Sequence, residues 1–416
     1  MNTISNNKNV KVSIITPVYN PKEEHLIECI NSLVNQTLDN VEIILIDNAA
    51  LYSNPEIIKD FANRYSQIRV IKFEQNQGFA KACNEGLKIA GGEYIQIVDS
   101  DDVIRRDACE ILYKKAKKYD SDLIFFGARE YNDKTKQHEY TDWYSLNFFP
   151  IKLTYSPKTS KECVDFMFNS PLQDWNKFVK RELIYNYDNF FEEKLGYVLP
   201  DCVYSIKNMI NAKRIMLEKA HLYDYRINIS SSVVKGYSKK ECPYIDAPII
   251  FSQKLDEILT QCEGEIYADK ILKISLMHLF GYYSLVHKAN KNLLYSLMHD
   301  YLKNTQNPYM TKSILKKIGY YKQIKDFRKY NYTFYNIMRF IYRYEKRIDG
   351  KRINILGFNV YRERYADFKI QRRYLGFIKT SEPDMRATVS FIINKVTMNL
   401  QDLLLDENGK IKSINK

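Results

Sequence analysis

The sequence predicts an α/β fold in which a mostly parallel sheet is flanked by helices and followed by a largely helical C-terminal region. Two observations carry this prediction. Short runs rich in β-branched and aromatic residues recur between residues 12 and 126, and segments with helical spacing separate them. Regular alternation of strand and helix is typical of a parallel sheet with helices on both faces.

The predicted elements follow one another closely along the first third of the chain. The strands are VSIIT (12–16), VEIILI (41–46), IRVIKF (68–73), YIQIV (94–98) and DLIFF (122–126). We predict that these strands are buried because they are rich in β-branched and aromatic residues. Helices are predicted near 24–35, 55–66, 79–90 and 105–119. Beyond residue 127 a mixed region rich in Tyr, Phe and Lys extends to about 235, and the strongest later helical pattern is 265–291.

These patterns divide the 416 residues into three predicted parts. The first covers 1–235, with a strand–helix half at about 12–126 and a mixed half at about 127–235. A helical region follows over 236–310, and a basic aromatic module over 311–416. Within 311–380 there are 19 Lys and Arg residues against five Asp and Glu residues, although the whole chain carries +13. The excess positive charge therefore belongs to the C-terminal module.

The basic module predicts a negatively charged partner. Its basic and aromatic residues suit the surface of an anionic membrane. Two other interpretations stay open: stacking on single-stranded nucleic acid, which we do not expect, and a solvated helical face. The start of the chain is polar, and no run approaches the roughly 18 apolar residues of a spanning helix. We therefore expect a cytoplasmic protein, peripheral at the inner face of the cytoplasmic membrane.

The seven cysteines are scattered and never spaced as C-x-x-C, so they are predicted to be reduced thiols. Neither G-x-x-x-x-G-K-[ST] nor G-x-G-x-x-G occurs, which argues against P-loop and dinucleotide sites. What the sequence does contain is a polar segment directly after each of the first four strands. These segments are Thr16 to Asn20, Asp47-Asn48, Asn76 to Gly78 and Asp99 to Asp102.

The carboxyl ends of parallel strands share one sheet edge, so the four segments predict a single site. Carboxylates crowded together there repel each other unless a cation lies among them. Ligand sets made only of oxygen select a hard cation such as Mg²⁺ or Mn²⁺. The DSDD stretch at 99–102 therefore predicts a metal site. A structural alternative is that the whole stretch is a helix-capping loop.

The motifs TPVYN, LIDNAA, NQGFAKACNEG and GGEYIQIVDSDD, in this order, resemble family 2 glycosyltransferases with the GT-A fold, of the bacterial capsule or lipooligosaccharide type. The likeness covers roughly residues 12–235. It implies an inverting transfer of a sugar from a nucleotide-sugar donor, expected to be UDP-linked, to a hydroxyl of a glycan or lipid-linked acceptor in surface polysaccharide synthesis. A divalent cation would stabilise the diphosphate leaving group.

The resemblance also implies roles for individual residues. Asp101 would bind the metal, Asp99 would contact the ribose or the metal, and Asp102 would cap the following helix. The remaining donor-binding residues would be Thr16, Pro17, Tyr19, Asp47, Asn76, Gly78 and Ser100, with Asp47 at the base edge and Pro17 and Tyr19 walling the base pocket. This chain departs from the family pattern at Asn48-Ala49 and at Cys83, where an acid and an arginine are common. The departures leave the base preference and one diphosphate contact open.

Asp201 is the predicted catalytic base, from the segment KLGYVLPDCVYS. The family's neighbouring Glu is replaced by Pro200, so Asp174 and Glu193 remain alternatives, as does a surface role for Asp201 itself. Trp175 in DWNKF would stack on an acceptor sugar or belong to the core. Two other functions stay open: a nucleotidyltransferase, and a protein that binds nucleotide sugars or nucleic acid without catalysis.

Overall fold

The structure is a computed structural model that describes residues 10–139, 146, 161–196, 199–227, 241–242, 244–261 and 266–329, and the backbone of four strands between 342 and 374. The chain divides into two compact units, residues 1–329 and 330–416. Two helices, Lys312–Ile318 and Tyr321–Lys329, lie in the predicted basic module and belong to the first unit. The three-part division expected from the sequence remains a prediction.

In the first unit, the described residues form one nine-stranded sheet with the order β3-β2-β1-β4-β8-β6-β9-β5, and β7 pairs with β6. Its strands are β1 Val12–Val18, β2 Val41–Asp47, β3 Ile68–Lys72, β4 Tyr94–Ile97, β5 Val103–Ile104, β6 Leu123–Asn132, β7 Gln137–Glu139, β8 Lys177–Lys180 and β9 Ile215–Ile227. The sheet is flanked by the helices α1 Glu23–Val34, α2 Asn54–Arg64, α3 Phe79–Ile89 and α4 Ala108–Tyr119.

The first four strands are parallel, as predicted. Strand β1 pairs with β2 on one side and with β4 on the other. All seven residues of β1 are buried, which explains why it reads as a nearly continuous apolar run instead of an alternating one. At the start of β4, a Cβ on Gly92 would lie 2.4 Å from the backbone nitrogen of Ser13. Only glycine therefore lets the two strands approach at this end.

The sheet becomes mixed beyond β4, because β8 pairs antiparallel with both β4 and β6. Strand β6 then pairs parallel with β9, and the two-residue strand β5 pairs antiparallel with β9. The sequence analysis did not predict β5, β8 or β9. The α/β fold with flanking helices is confirmed, and the continuous run of parallel strands is limited to β3, β2, β1 and β4.

Helices dominate the rest of the first unit. They are α5 Lys161–Asn169, α6 Arg181–Asn186, α7 Pro200–Asn211, α8 Ala247–Gln261, α9 Ala268–Leu285, α10 Lys291–Asn304, α11 Lys312–Ile318 and α12 Tyr321–Lys329. A half-buried carboxylate joins α8 to the end of α10: Asp256 accepts hydrogen bonds from Tyr301 (2.8 Å), Thr305 (2.9 Å) and Asn307 (2.5 Å). None of the helices in the described part of the chain is long and apolar enough to span a membrane.

The second unit contains a four-stranded antiparallel sheet with the order β10-β11-β12-β13, which the sequence analysis did not predict. Its strands are Tyr342–Arg347, Gly350–Ile355, Phe358–Ala366 and Lys369–Tyr374. Pairing aligns Arg352 with Arg362 and Arg362 with Arg373, so three arginines share one row across three strands.

The cysteines within the described residues are free, and five of them are buried: Cys29, Cys83, Cys109, Cys163 and Cys202. Cys262 lies outside the described residues. The expectation of reduced thiols agrees with the cysteines that the structure describes.

Candidate active site

The predicted site residues lie at the carboxyl edge of the parallel strands or near it. Thr16 and Pro17 are buried in β1, Tyr19 follows it, and Asp47 ends β2. Gly78 precedes α3, and Asp99 to Asp101 follow β4. Trp175 precedes β8, and Asp201 lies in the first turn of α7.

The end of β2 is stabilised by its own polar residues. Asp47 is 3% exposed, and its Oδ1 accepts a hydrogen bond from the backbone N–H of Ala50 at 2.9 Å. This bond closes a short turn after the strand. Tyr19, by contrast, is 51% exposed, so its ring is available at the edge of the site. Base recognition by Asp47 and Tyr19 stays a prediction.

Asn48 has a role that the sequence analysis missed. Its Oδ1 accepts the backbone N–H of Gln77 (2.8 Å), and its Nδ2 donates to Oδ1 of Asn76 (3.0 Å). An amide can donate and accept at once, whereas the acid common at this position in the family could only accept. The departure at Asn48 thus ties the end of β2 to the segment before α3. The sequence feature that could have indicated this role is the amide of Asn48 directly after Asp47, the acid that ends β2.

Gly78 adopts a conformation that favours glycine, with φ +84° at the start of α3. Its N–H donates to Oδ1 of Asn76 at 2.8 Å. The Asn76 side chain therefore stabilises the loop, and the close approach of this backbone to a nucleoside remains a prediction.

The predicted capping role of Asp102 is wrong. Helix α4 begins at Ala108, and Asp102 is buried. Its Oδ2 accepts the hydroxyl of Tyr223 (2.8 Å), and its Oδ1 accepts the backbone N–H of Arg226 (2.6 Å). Asp102 thus fastens the acidic loop to β9, because a buried carboxylate is stable only with donors around it.

Arg226 is a second anchor of the acidic loop that the sequence analysis did not assign. It is 4% exposed, and its Nε donates to the backbone carbonyl of Asp101 at 2.7 Å. Its two other nitrogens pair with Asp133 and Glu28, both at 2.5 Å. A buried guanidinium with this many partners fixes the backbone to which Asp101 belongs. The tyrosine-rich segment that ends in this arginine was the available signal.

Asp99 and Asp101 are both half-buried in this loop. Burial raises the pKa of Asp99 well above its ordinary value, and Asp174 adds the largest electrostatic contribution, ahead of Asp102 and Asp101. Asp99 thus lies among like charges that a cation would offset. Within the described residues, no group of three or more acidic, His or Cys side chains has the geometry of a metal site.

The antiparallel strand β8 explains why Asp174 lies near Asp99. Gln96 of β4 pairs with Phe178 of β8, so the residues before β8 run beside the residues after β4. The side chain of Gln96 also donates to the carbonyl of Trp175 at 2.7 Å. Asp174 is 2% exposed, and burial together with Asp201 raises its pKa to about 7.

Trp175 belongs to the core in this structure. Its ring is 3% exposed and stacks on Tyr223 and Tyr225 of β9, with ring centroids 4.6 Å and 5.4 Å apart. This burial favours the packing interpretation. A role for Trp175 at the acceptor remains an untested prediction.

Asp201 is half-buried, and burial raises its pKa. Of the two alternative bases, Asp174 lies close enough for its pKa to respond to Asp201. Glu193 is engaged elsewhere: it accepts a hydrogen bond from Asn84 (2.9 Å) and lies 3.6 Å from the ammonium of Lys81. The structure therefore brings together Asp99, Asp174 and Asp201, and leaves Glu193 paired.

Lys177 lies in the same region and was not predicted. It is 1% exposed, and its ammonium donates to the carbonyls of Pro171 (2.8 Å) and Gln173 and to Oδ1 of Asn176 (2.8 Å). Burial lowers its pKa to about 7, against the opposing effect of Asp174. The lysine two residues after Trp175, in the stretch DWNKF, was the sequence signal for this anchor.

At the position where the family commonly has arginine, Cys83 lies buried in α3. Burial raises the pKa of its thiol well above the ordinary value, and Asp174, Asp99 and Asp201 raise it further. The acid cluster therefore has a neutral thiol beside it at this position.

Comparison with known proteins agrees with this geometry. Residues 13–171 match the family described as Glycosyl transferase family 2. The N-terminal part of the chain is therefore similar to glycosyl transferase family 2. Glycosyltransferase GlyG of Streptococcus pneumoniae is 32% identical over 174 residues, which are 41% of this chain and 57% of GlyG. The poly(ribitol-phosphate) beta-glucosyltransferase of Bacillus spizizenii is 40% identical over 117 residues, 27% of this chain and 18% of that protein.

This chain covers only part of the length of its relatives. The chain spans 64% of EpsH of Bacillus subtilis, 57% of GlyG and 31% of GlyA of Streptococcus pneumoniae. Among solved structures, S. aureus TarS 1–349 in complex with UDP-GlcNAc superimposes with a TM-score of 0.60 at 20% identity, over 83% of this chain and 97% of that one. At this identity the likeness shows the fold, and the predicted GT-A fold is confirmed.

Proposed function

We propose that the protein is an inverting glycosyltransferase that moves a sugar from a UDP-linked donor to a hydroxyl of a glycan or lipid-linked acceptor in polysaccharide synthesis. The observation that carries the proposal is the convergence of Asp99, Asp174 and Asp201 beside the end of β4. The TarS structures, which contain UDP and UDP-GlcNAc, support a uridine nucleotide as donor.

Asp99 and Asp101 are the residues that would hold Mg²⁺ or Mn²⁺. Their carboxylate oxygens suit a hard cation, and the crowded acids around Asp99 fit a site that receives positive charge. Such a cation supplies Lewis-acid stabilisation of the diphosphate leaving group. The protein's own part is positional, because Arg226 and Asp102 fasten the loop that carries both acids.

Asp201 would take the proton from the acceptor hydroxyl as its oxygen attacks the anomeric carbon. Inversion follows from a single displacement, in which the acceptor approaches from the side opposite the diphosphate. The raised pKa of Asp201, caused by burial, suits this work because a base functions best when its pKa lies nearer the operating pH.

A donor panel tests the proposal. With Mn²⁺ present, we expect turnover of one UDP-sugar to exceed that of its GDP- and TDP-linked counterparts, as measured by release of the nucleoside diphosphate. Nucleoside triphosphates with sugar 1-phosphates serve as the control for a nucleotidyltransferase. Release of pyrophosphate in that control, or no turnover of any nucleotide sugar, would contradict the proposal.

We further propose that the second unit holds the protein at an anionic membrane surface. Strand pairing places Arg352, Arg362 and Arg373 in one row across three strands of the sheet. Each basic residue near an anionic bilayer contributes about 1 kcal/mol of binding free energy, so a row of three should contribute measurably to membrane binding. The localisation expected is peripheral, at the inner face of the cytoplasmic membrane.

Vesicle co-sedimentation at low salt tests the membrane proposal. Changing Arg352, Arg362 and Arg373 together to Gln should release the protein from anionic vesicles. The matched control changes Lys346, Lys351 and Arg372 to Gln, which removes the same charge from the neighbouring row. Because successive strand residues alternate between faces, the control should retain most binding. Equal loss in both variants, or no binding by the unchanged protein, speaks against it.

A further inference from the structure

Several buried polar atoms near the acid cluster have no hydrogen-bond partner among the described residues. They are Oδ2 of Asp174, Oε1 of Gln173, Nδ2 of Asn176 and Oγ of Ser205. Buried polar atoms in folded proteins are nearly always hydrogen-bonded, to protein, to water or to a ligand. Three of the four come from the short segment before β8, and the fourth lies one turn beyond Asp201 on α7.

Asp174 lies near both functional ends of the site. It is the charge that most affects Asp99 of the acidic loop, and the pairing of β4 with β8 runs the residues before β8 beside that loop. Asp201 is the charge that most raises the pKa of Asp174. A sugar being transferred must reach from the diphosphate, near Asp99 and Asp101, to the base, so its hydroxyls would pass close to Asp174.

The segment that carries Asp174 is held on several sides. Lys177 bonds to the carbonyls of Pro171 and Gln173 and to the side chain of Asn176. The carbonyl of Asn176 accepts the N–H of Phe126 at 3.1 Å. An acceptor oxygen held in this way has little freedom to move, and such preorganisation favours a specific contact.

We propose that Asp174 contacts the donor sugar, with its unpartnered Oδ2 accepting a hydrogen bond from one hydroxyl of the sugar that is transferred. The contact would determine which sugar the enzyme accepts. A sugar that lacks this hydroxyl, or presents it with the opposite configuration, leaves the buried oxygen without a donor and binds less well. This inference rests on the proposed glycosyltransferase function.

The role differs from that of the base. A base changes the rate of transfer and leaves donor affinity nearly unaltered, whereas a sugar contact changes donor affinity at one ring position. When Asp174 is ionised, the contact is also more selective, since a hydrogen bond to a carboxylate is stronger than one between neutral groups.

A cycle that pairs a protein change with a substrate change tests the contact. The probes are the nucleotide sugar that turns over fastest in the donor panel, its monodeoxy analogues and its free nucleoside diphosphate. Affinities are measured by calorimetry with Mn²⁺ for the unchanged protein, Asp174→Ala and Asp174→Asn. The Asn variant keeps the shape of the side chain and gives a readout if the Ala variant does not fold.

In the unchanged protein, removal of one particular hydroxyl should lower affinity roughly 10-fold to 100-fold. In Asp174→Ala the same removal should cost less than about threefold, because the partner oxygen is gone. The affinity for the free nucleoside diphosphate should be the same in the unchanged protein and in Asp174→Ala. Asp256→Asn, a half-buried carboxylate changed in the helical region, controls for a general loss of stability and should keep the full hydroxyl penalty.

Two results would overturn the inference. One is that each deoxy analogue loses the same affinity in the unchanged protein as in both variants. The other is a loss of turnover in Asp174→Asn with unchanged donor affinity and selectivity, which would assign Asp174 the role of base. Failure of the proposed function is a separate outcome, since the donor panel would then contain no substrate at all.

Discussion

The Asp101→Ala variant is expected to transfer sugar about 10³-fold more slowly than the unchanged protein, and to unfold at the same urea concentration. The loss follows from removing one of two carboxylates that would hold the divalent cation, which is worth several kcal/mol at the transition state. The fold should survive because Arg226 bonds to the backbone carbonyl of Asp101, which alanine retains. Turnover with Mn²⁺ and urea denaturation together measure both effects.

The matched control is Asp107→Ala, an acid between β5 and α4 that pairs with Arg105 at the surface. It should retain nearly full turnover. Excess EDTA should inhibit the unchanged protein as strongly as the Asp101 substitution does, and restored Mn²⁺ should reverse the inhibition. Full activity in EDTA would show that the acidic loop works without a metal.

The second large effect is expected from Asp201→Asn, which should bind the donor normally and transfer sugar roughly 10²-fold more slowly or worse. The amide has the shape of the carboxylate and cannot take the acceptor's proton. Donor titration and single-turnover transfer separate the two quantities.

The pH dependence gives a second readout for this variant. Burial raises the pKa of Asp201, so the rate in the unchanged protein should fall as pH drops through that raised value, where the base becomes protonated. The slower residual rate of Asp201→Asn should lack this fall. Unchanged turnover in the variant would instead move the role to Asp174, because Glu193 is already held by Asn84 and Lys81.

Local patterns were enough to predict the parallel half of the sheet. Strands β1 to β4 are apolar and separated by amphipathic helices, and their polar ends converge by the geometry of parallel strands. The same logic placed Asp47 and Asp99 at one edge. Nothing beyond neighbouring residues was needed for either prediction.

Partners distant in the sequence explain the errors and omissions. An acid ahead of a helix is typical of a cap, but Asp102 pairs with Tyr223, 121 residues away. Lys177 looks like a surface residue until the fold buries it. The C-terminal region was expected to be largely helical, although the strands of the second unit contain basic residues interspersed with Tyr and Ile. Only the pairing of separate segments distinguishes these cases.

Strand β8 also constrains the order in which the protein can form. It is synthesised after β6, yet it must enter the gap between β4 and β6, whose inner edges otherwise have unpaired backbone groups. Such late pairing of distant segments is slow and leaves partly folded chains prone to aggregation. A nascent chain therefore cannot complete the sheet before β8 and then β9 leave the ribosome, and a fragment that ends between Asn132 and Lys177 should self-associate through those two edges.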